Sequence, residues 1–193
     1  MVFVVTDGLD ASGKSTQALE LSRFIRGQGK TVLLRFHPAE DNPFGAKAKQ
    51  FLYARGKSAH FAAALFYMVD VIRSILLYSW RSYQYVIFVR YLMGTAYLPR
   101  PLDHLAYHFF AAVVPTSRHM FFLDVAPEVA EKRLLENRER LEMFENIREL
   151  GRTRLKALSL AVADDWTIVN ADGSVAMVQQ TIRKFLSGSS ESK

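Results

Sequence analysis

Residues 8–16 read Gly8-Leu9-Asp10-Ala11-Ser12-Gly13-Lys14-Ser15-Thr16. The stretch fits the pattern G-x-x-x-x-G-K-[ST], in which a glycine-rich loop joins a buried strand to the start of a helix. The apolar run at residues 2–6 predicts that strand, and the apolar spacing from residue 15 to about residue 26 predicts that helix. A chance glycine-rich turn is the alternative, but both neighbours are of the required kind. The sequence therefore predicts a phosphate-binding loop (P-loop).

The loop offers several groups to a nucleoside triphosphate. Gly8 and Gly13 let backbone amides turn toward the phosphates, and the positive end of the following helix adds attraction. Lys14 is predicted to reach the β- and γ-phosphates, and the Ser15 hydroxyl to bind Mg²⁺. ATP and Mg²⁺ are therefore the expected cofactors. The predicted ATP-binding residues are Gly8, Leu9, Asp10, Ala11, Ser12, Gly13, Lys14, Ser15 and Thr16.

Strands and helices alternate along the rest of the chain. Four further strands are predicted from short apolar runs, at residues 31–36, 85–89, 120–125 and 166–170. This alternation predicts one domain with a three-layer α/β architecture, a P-loop NTPase fold with a central parallel sheet flanked by helices. We expect the domain to span residues 1–186 and residues 187–193 to form a disordered tail. Ligands in such folds bind at the carboxyl ends of the strands.

The amino-acid composition restricts the expected cellular location of the protein and its expected binding partners. Half of the 193 residues are hydrophobic, 23% are charged and none is cysteine. This fits a folded domain without disulfides, as is usual in the cytoplasm. The net charge of +6 would suit a polyanion, but phosphorylated substrates also need cations, and no nucleic acid polymer is expected as a partner. The apolar stretch 61–80 contains Asp70 and Arg73, both costly in a bilayer, so we expect a core helix and no membrane span.

Several motifs resemble those of the thymidylate kinase family. Residues 7–17 are similar to that family's opening, Glu-Gly-Leu-Asp-Gly-Ser-Gly-Lys-Ser-Thr-Gln. Arg90-Tyr91 resembles its Asp-Arg-Tyr, and Ala96-Tyr97 its downstream Ala-Tyr. Residues 123–130, followed by Arg133, resemble its fourth strand and the helix that leads into its lid.

The resemblance implies a nucleoside monophosphate kinase that transfers the γ-phosphoryl group of ATP to dTMP and forms a homodimer. It implies that Arg90 bridges the phosphates of the two substrates, that Phe66 stacks on the base, and that Tyr97 packs at the nucleoside. Asp10 is expected near the transferred group. The expected catalytic residues are Lys14, Asp10, Arg90, Arg133 and Arg138. The expected substrate-binding residues are Arg35, Phe66, Arg73, Arg90 and Tyr97.

A charged segment around residues 137–145 is the expected lid. Arg133 and Arg138 are our candidates for arginines that a closing lid brings to the phosphates of ATP. The alternative for these and the neighbouring arginines is a solvated helical face paired with glutamates at helical spacing.

Departures from the family pattern cluster on the acceptor side. Val89 replaces the aspartate of Asp-Arg-Tyr, and Leu98 replaces a glutamine after Ala-Tyr. Phe36-His37-Pro38 stands for Arg-Glu-Pro, and residues 70–71 lack the arginine that reads the base. Two alternatives therefore stay open: an ATP-binding switch or hydrolase without a nucleotide acceptor, and a kinase of another small acceptor.

Two expectations concern the metal and the assembly. Val89 cannot bind a metal, so Mg²⁺ is held either by Ser15, ATP and water or with another acid, for which Asp10 is preferred over Asp7 and Asp124. The alternative for Asp10 is that it only braces the loop or an arginine. The helices at residues 61–78 and 102–113 are more apolar than one sheet face requires, so they are the expected dimer contact.

Overall fold

A computed structural model describes residues 1–53, 57–78, 82–137 and 147–188. Five strands are present: β1 Val2–Gly8, β2 Val32–Phe36, β3 Tyr85–Val89, β4 Met120–Asp124 and β5 Thr167–Asn170. Seven α-helices are described: α1 Lys14–Gly27, α2 Pro43–Leu52, α3 Lys57–Tyr78, α4 Leu102–Val113, α5 Pro127–Asn137, α6 Ile147–Ala163 and α7 Val175–Gly188. A 3₁₀ helix spans Met93–Tyr97.

The strands form one parallel sheet in the order β2-β3-β1-β4-β5. β1 is central, and its register places Thr6 opposite Val89 of β3 and Gly8 opposite Leu123 of β4. The ends of β1, β3 and β4 therefore meet at one edge of the sheet. The predicted three-layer α/β fold with a central parallel sheet is confirmed.

A separate hydrophobic core lies on each face of the sheet. One is built with residues of α3, α4 and α6, among them Tyr107, Phe110 and Leu160. The other is built with residues of α1, α5 and α7, among them Leu21 and Ile182. Both faces of the central strands are covered, which explains why their sequences are apolar without alternation.

Helix α3 is long and apolar enough, by length and composition, to cross a membrane over Phe61–Tyr78. Its inner side is nevertheless part of the protein core: Tyr67 and Val71 belong to the hydrophobic cluster. Asp70 and Ser74 are fully buried on the same side. This packing is that of a core helix, as the sequence predicted.

Three details differ from the sequence prediction or fall outside the description. The segment between β3 and α4, for which the sequence patterns predicted no strand, contains the 3₁₀ helix. Helix α7 continues to Gly188, two residues past the domain end expected from the sequence, and the Ser187 hydroxyl donates to the Arg183 carbonyl at 3.0 Å. Residues 138–145 of the predicted lid and 189–193 of the predicted tail lie outside the described residues.

Candidate active site

The P-loop connects the central strand to α1 through three residues with positive φ. They are Gly8 (145°), Ala11 (58°) and Gly13 (87°). A Cβ at Gly8 would stand 2.4 Å from the Leu123 carbonyl oxygen, so the close packing against β4 requires glycine there. Gly13 caps α1 in a left-handed conformation, which directs the first turn of the helix toward the loop.

The loop has the features of an anion site. The Ser12 hydroxyl is buried and has no hydrogen-bond partner among the described residues. The Lys14 ammonium is only 4% exposed, donates to the Leu9 carbonyl and lies 4.0 Å from an Asp10 carboxylate oxygen. Backbone N–H groups at a helix N-terminus attract phosphate. These residues therefore fit the phosphates of a nucleotide.

Mg²⁺ has one suited side chain in the loop. Ser15 is exposed in the first turn of α1, where its hydroxyl can face a bound triphosphate. No group of three or more His, Cys, Asp or Glu that could hold a metal occurs among the described residues. Mg²⁺ keeps several waters and needs few protein ligands, so a site made of Ser15, nucleotide oxygens and water fits this loop.

The acids considered as magnesium ligands are all engaged in the described structure. Asp7 accepts hydrogen bonds from the backbone N–H of Gly8, Tyr91 and Met93 at 2.7–3.0 Å. Asp124 forms a two-pronged ion pair with Arg154 at 2.6 and 2.7 Å.

Asp10 accepts from Arg90 and Tyr97. For Asp10, this favours the alternative in which the carboxylate braces an arginine over the one in which it supports the metal.

A cavity of about 320 Å³ opens on one side of the P-loop. Arg133 of α5 lies in its wall: its guanidinium donates to the Ala11 carbonyl at 3.3 Å and to the Ala171 carbonyl at 3.0 Å. Arg133 thus joins the P-loop to the segment between β5 and α7. The lining residues are Ala11, Ser12, Gly13, Thr16, Gln17, Arg133, Leu134, Ala171, Gly173, Val175 and Val178. The size and position suit the nucleoside part of a nucleotide whose phosphates lie in the loop.

Asp10, Arg90 and Tyr97 meet on the other side of the P-loop. The Asp10 carboxylate accepts hydrogen bonds from the Arg90 guanidinium and, at 2.9 Å, from the Tyr97 hydroxyl. Burial alone would raise the pKa of Asp10. The charges of Arg90 and Lys14 and the two hydrogen bonds outweigh it, so the pKa lies well below its usual value and the carboxylate stays ionised.

Arg90 has a left-handed backbone at the end of β3, with φ of 63°. This conformation is uncommon for a residue with a Cβ and persists where its surroundings enforce it. The Arg90 N–H donates to the Thr6 carbonyl at 3.0 Å, and the Arg90 carbonyl lies 3.1 Å from Nδ1 of His37. Asp7 holds the next turn through Tyr91 and Met93, which explains the 3₁₀ helix that carries Tyr97.

A second cavity lies between this cluster and the helices α2 and α3. It is bounded by Asp7, Gly8, Asp10, Pro38, Ala48, Leu52, Ala63, Ala64, Tyr67, Arg90, Gly94, Tyr97 and Leu98. Its charged groups are at the P-loop end, and its far end is apolar. Its volume is about 50 Å³, which makes it the narrower of the two cavities described beside the P-loop.

Two of the five predicted substrate-binding residues, Arg90 and Tyr97, line this cavity. Phe66 does not: its ring stacks on Phe51 at 5.7 Å, with the Lys47 ammonium 5.2 Å from its centroid. Arg35 and Arg73 also lie outside it.

The Arg35 guanidinium is held elsewhere. It forms two hydrogen bonds to Asp41, at 2.5 and 2.7 Å, and its Nε donates to the Ser74 hydroxyl. Direct contact of Phe66, Arg35 or Arg73 with a ligand in this cavity is therefore not what the structure favours.

Tyr67 is the aromatic residue of α3 that lines the cavity, one position after Phe66. It is buried, its hydroxyl donates to the Tyr91 carbonyl at 3.1 Å, and burial raises its pKa well above the usual value. The sequence pattern of α3 could have predicted that Tyr67 lies on the buried side of the helix. Asp70 and Ser74 follow Tyr67 at spacings of three and seven, so the polar residues of an apolar helix mark its buried stripe.

The predicted catalytic residues are gathered around the loop as far as they are described. Lys14, Asp10, Arg90 and Arg133 all contact the P-loop or one another. Arg138 lies outside the described residues. Lys14 and Arg90 are two cations beside the phosphate site, and each cavity opens onto that site. A transfer between two phosphorylated ligands requires such an arrangement.

Comparison with known proteins agrees with this geometry. The family model for thymidylate kinase matches residues 6–182. The chain belongs to the thymidylate kinase family.

Relatives in that family include a probable thymidylate kinase of Pyrococcus abyssi, 30% identical over 192 residues, covering 93% of each chain. A probable thymidylate kinase of Pyrobaculum calidifontis is 28% identical over 177 residues, covering 88% of each chain. The solved thymidylate kinase of Candida albicans has the same fold, with a TM-score of 0.76 and 18% identity over 98% of this chain and 92% of that one.

Proposed function

We propose that this chain transfers the γ-phosphoryl group of ATP to the phosphate of dTMP, giving ADP and dTDP, with Mg²⁺ as cofactor. One observation carries the proposal: Lys14, Asp10 and Arg90 lie between a cavity on the ATP side and a cavity on the acceptor side. The two phosphates of a phosphoryl transfer must meet in such a place.

On the ATP side, the P-loop amides and Lys14 neutralise the phosphates, and the Ser15 hydroxyl would hold Mg²⁺. Arg133 shapes the wall of the cavity for the adenosine part. Mg²⁺ supplies charge neutralisation of the triphosphate when it is bound. The protein needs no nucleophile of its own, because the attacking atom is an oxygen of the acceptor phosphate.

On the acceptor side, Arg90 is the cation that the phosphate of dTMP meets. Asp10 fixes the guanidinium through their ion pair, so its direction is set before the substrate arrives. Tyr67 and Tyr97 offer aromatic surface along the cavity, and a single pyrimidine ring is the base that a narrow aromatic slot accepts. We therefore assign base stacking to Tyr67 rather than Phe66.

We further propose a cytoplasmic homodimer. Helix α3 exposes Phe61, Leu65, Leu76 and Leu77, and α4 exposes Leu105, Phe109 and Val113. Phe61 is 58% exposed and Leu105 is 68% exposed. Apolar faces of this kind are commonly covered by a second subunit. A dimer mass by light scattering at micromolar concentration tests this proposal, and a monomer would contradict it.

The test of the function is ADP formation from ATP and Mg²⁺ with a panel of acceptors: dTMP, dUMP, dCMP, AMP, GMP, thymidine and none. We expect ADP to form with dTMP and dUMP and only weakly with the purine monophosphates. Equal ADP formation without any acceptor would instead show an ATP hydrolase or switch. Better use of AMP or GMP than of dTMP would refute the pyrimidine assignment.

A further inference from the structure

His37 and Arg90 stand next to each other at the carboxyl ends of β2 and β3. The backbone N–H of His37 donates to the Val89 carbonyl at 3.0 Å and extends the pairing of the two strands by one residue. Its Nδ1 lies 3.1 Å from the Arg90 carbonyl oxygen. A carbonyl only accepts, so Nδ1 carries the hydrogen and Nε2 does not, and the tautomer is fixed.

The Arg90 backbone needs such support. Its φ of 63° is disfavoured by the Cβ, and the residue is not a glycine or asparagine that adopts this conformation readily. Thr6 holds the peptide before Arg90 through its carbonyl. The peptide after Arg90 is held on both sides: His37 donates to its carbonyl, and its N–H, that of Tyr91, donates to Asp7 at 2.7 Å. The direction of the Arg90 side chain toward Asp10 depends on both peptides keeping their orientation.

His37 is an unfavourable residue for the fold itself. It is 3% exposed, and its Nε2 is buried without a hydrogen-bond partner among the described residues. Burial, followed by the charge of Arg35, lowers its pKa to about 3 and keeps the ring neutral. The ring packs edge-on against Phe88 at 5.0 Å, a contact that an aliphatic side chain could replace. A leucine here would remove the buried unpartnered nitrogen but also the donor to the Arg90 carbonyl, so that one hydrogen bond is what the histidine contributes at this position.

We propose that His37 is a positioning residue for phosphoryl transfer: through its hydrogen bond to the Arg90 carbonyl it holds Arg90 in the left-handed conformation that aims the guanidinium at the acceptor phosphate. The inference rests on the proposed function for the role of Arg90. It adds His37, which follows β2, as a residue that maintains the position of Arg90, which follows β3.

Two variants of similar size separate hydrogen bonding from packing. In His37→Asn, the side-chain amide nitrogen takes the place of Nδ1 and can still donate to the Arg90 carbonyl. In His37→Leu, no donor remains. We expect kcat/KM for dTMP to fall about tenfold or more in His37→Leu and to stay within about threefold in His37→Asn. The KM for ATP should not change in either variant.

Thermal unfolding distinguishes positioning from a purely structural role. We expect both variants to remain folded with unfolding midpoints close to each other, whereas only His37→Leu loses activity. Activity that follows the midpoint in both variants, wild-type kcat/KM in His37→Leu, or equal impairment of both variants would each overturn the inference.

Crystal structures of the two variants give a result that does not depend on the acceptor. The φ of Arg90 should stay near its wild-type value in His37→Asn and leave the left-handed region in His37→Leu. An unchanged Arg90 backbone in His37→Leu would overturn the inference. If the wild type fails to phosphorylate dTMP while the Arg90 backbone responds as expected, the proposed function is wrong and the support of Arg90 by His37 stands.

Discussion

The Asp10 carboxylate binds the Arg90 guanidinium at the boundary between the two cavities, and the two residues come from opposite partners of the β1–β3 pair. Asp10 lies in the P-loop that follows β1, and Arg90 follows β3. The pair therefore ties the ATP-binding loop to the acceptor-side cation. Because Asp10 is 2% exposed and also lies 4.0 Å from Lys14, its negative charge offsets two neighbouring cations.

Asp10→Asn tests this pairing. The amide keeps the shape but removes the charge that holds Arg90 and balances Lys14, so we expect kcat to fall about tenfold or more. The free energy of unfolding should fall by roughly 2–4 kcal/mol, because a buried charge loses its partner. Tyr97→Phe, which removes one hydrogen bond to the same carboxylate but leaves its charge and its ion pair with Arg90, is the matched control and should lower kcat only about threefold. Turnover of Asp10→Asn near that of the wild type would refute the role.

Tyr67 and Phe66 offer a direct comparison between neighbouring aromatic residues. Tyr67 lines the acceptor cavity, whereas Phe66 stacks on Phe51 away from it. Tyr67→Leu should raise the KM for dTMP about tenfold or more through lost stacking, and Phe66→Leu should leave it within about twofold. Steady-state kinetics with varied dTMP measures both. A larger effect of Phe66→Leu would instead support base stacking by Phe66.

Lys156 of α6 anchors the segment that carries Tyr97. Its ammonium donates to the Leu98 carbonyl at 2.6 Å and lies 3.7 Å from the carboxylate of Asp103, which is fully buried. Arg100 is a second cation near that carboxylate, at 3.9 Å, but it is 68% exposed. The position of the cavity wall formed by Tyr97 and Leu98 therefore depends on α6, the helix that follows the expected lid.

Lys156→Met should lower the free energy of unfolding by about 1–3 kcal/mol, because it removes a partner of a buried carboxylate, and should raise the KM for dTMP but not for ATP. Lys156→Met leaves the buried negative charge of Asp103 without this partner. Adding Asp103→Asn removes that charge, so the double variant should be more stable than Lys156→Met alone. Urea unfolding of the four proteins of this cycle measures the coupling. Additive losses would show that the two residues do not interact.

His37 predicts a pH-dependent term in stability. Its pKa is about 3 in the folded protein against 6.5 as the ordinary value, so below pH 6.5 the unfolded chain takes up a proton that the folded chain does not. Stability is therefore lost as the pH falls from the ordinary pKa toward the folded one. Between about pH 7.5 and pH 5 the loss should be roughly 2 kcal/mol.

The measurement is the difference in free energy of unfolding between the wild type and His37→Asn at these two pH values. Asparagine does not titrate, so the free energy of unfolding of the wild type should fall relative to that of the variant by roughly 2 kcal/mol between pH 7.5 and pH 5. Other titrating groups are common to both proteins and cancel. A difference that is independent of pH would contradict the burial of a neutral His37.

The fold followed from local patterns because each signal lay within a few residues. Glycines and a lysine at fixed spacing defined the P-loop, and the continuous apolar runs defined the strands. The site on the ATP side follows from that same stretch. It could be predicted because sequence neighbours build it.

The acceptor side depends on contacts between distant segments, which a single sequence does not encode as a pattern. Arg35 lies one residue before the position of the arginine in the family's Arg-Glu-Pro, and its ion pair with Asp41 holds it away from the cavity. The turn that carries Tyr97 exists because Asp7 binds backbone N–H groups more than eighty residues away. The choice of Tyr67 over Phe66 depends on the rotation of α3 about its own axis.

Quantification of dTDP is the direct test of phosphoryl transfer from ATP to dTMP by this chain. The purified chain is incubated with ATP, Mg²⁺ and dTMP, and ADP and dTDP are separated by chromatography, with Lys14→Met as the control that keeps the side-chain length but removes the charge. We expect equal amounts of ADP and dTDP with the wild type, neither product without dTMP, and a loss of both products with Lys14→Met. ADP without dTDP, or the same dTDP yield with Lys14→Met, would contradict it.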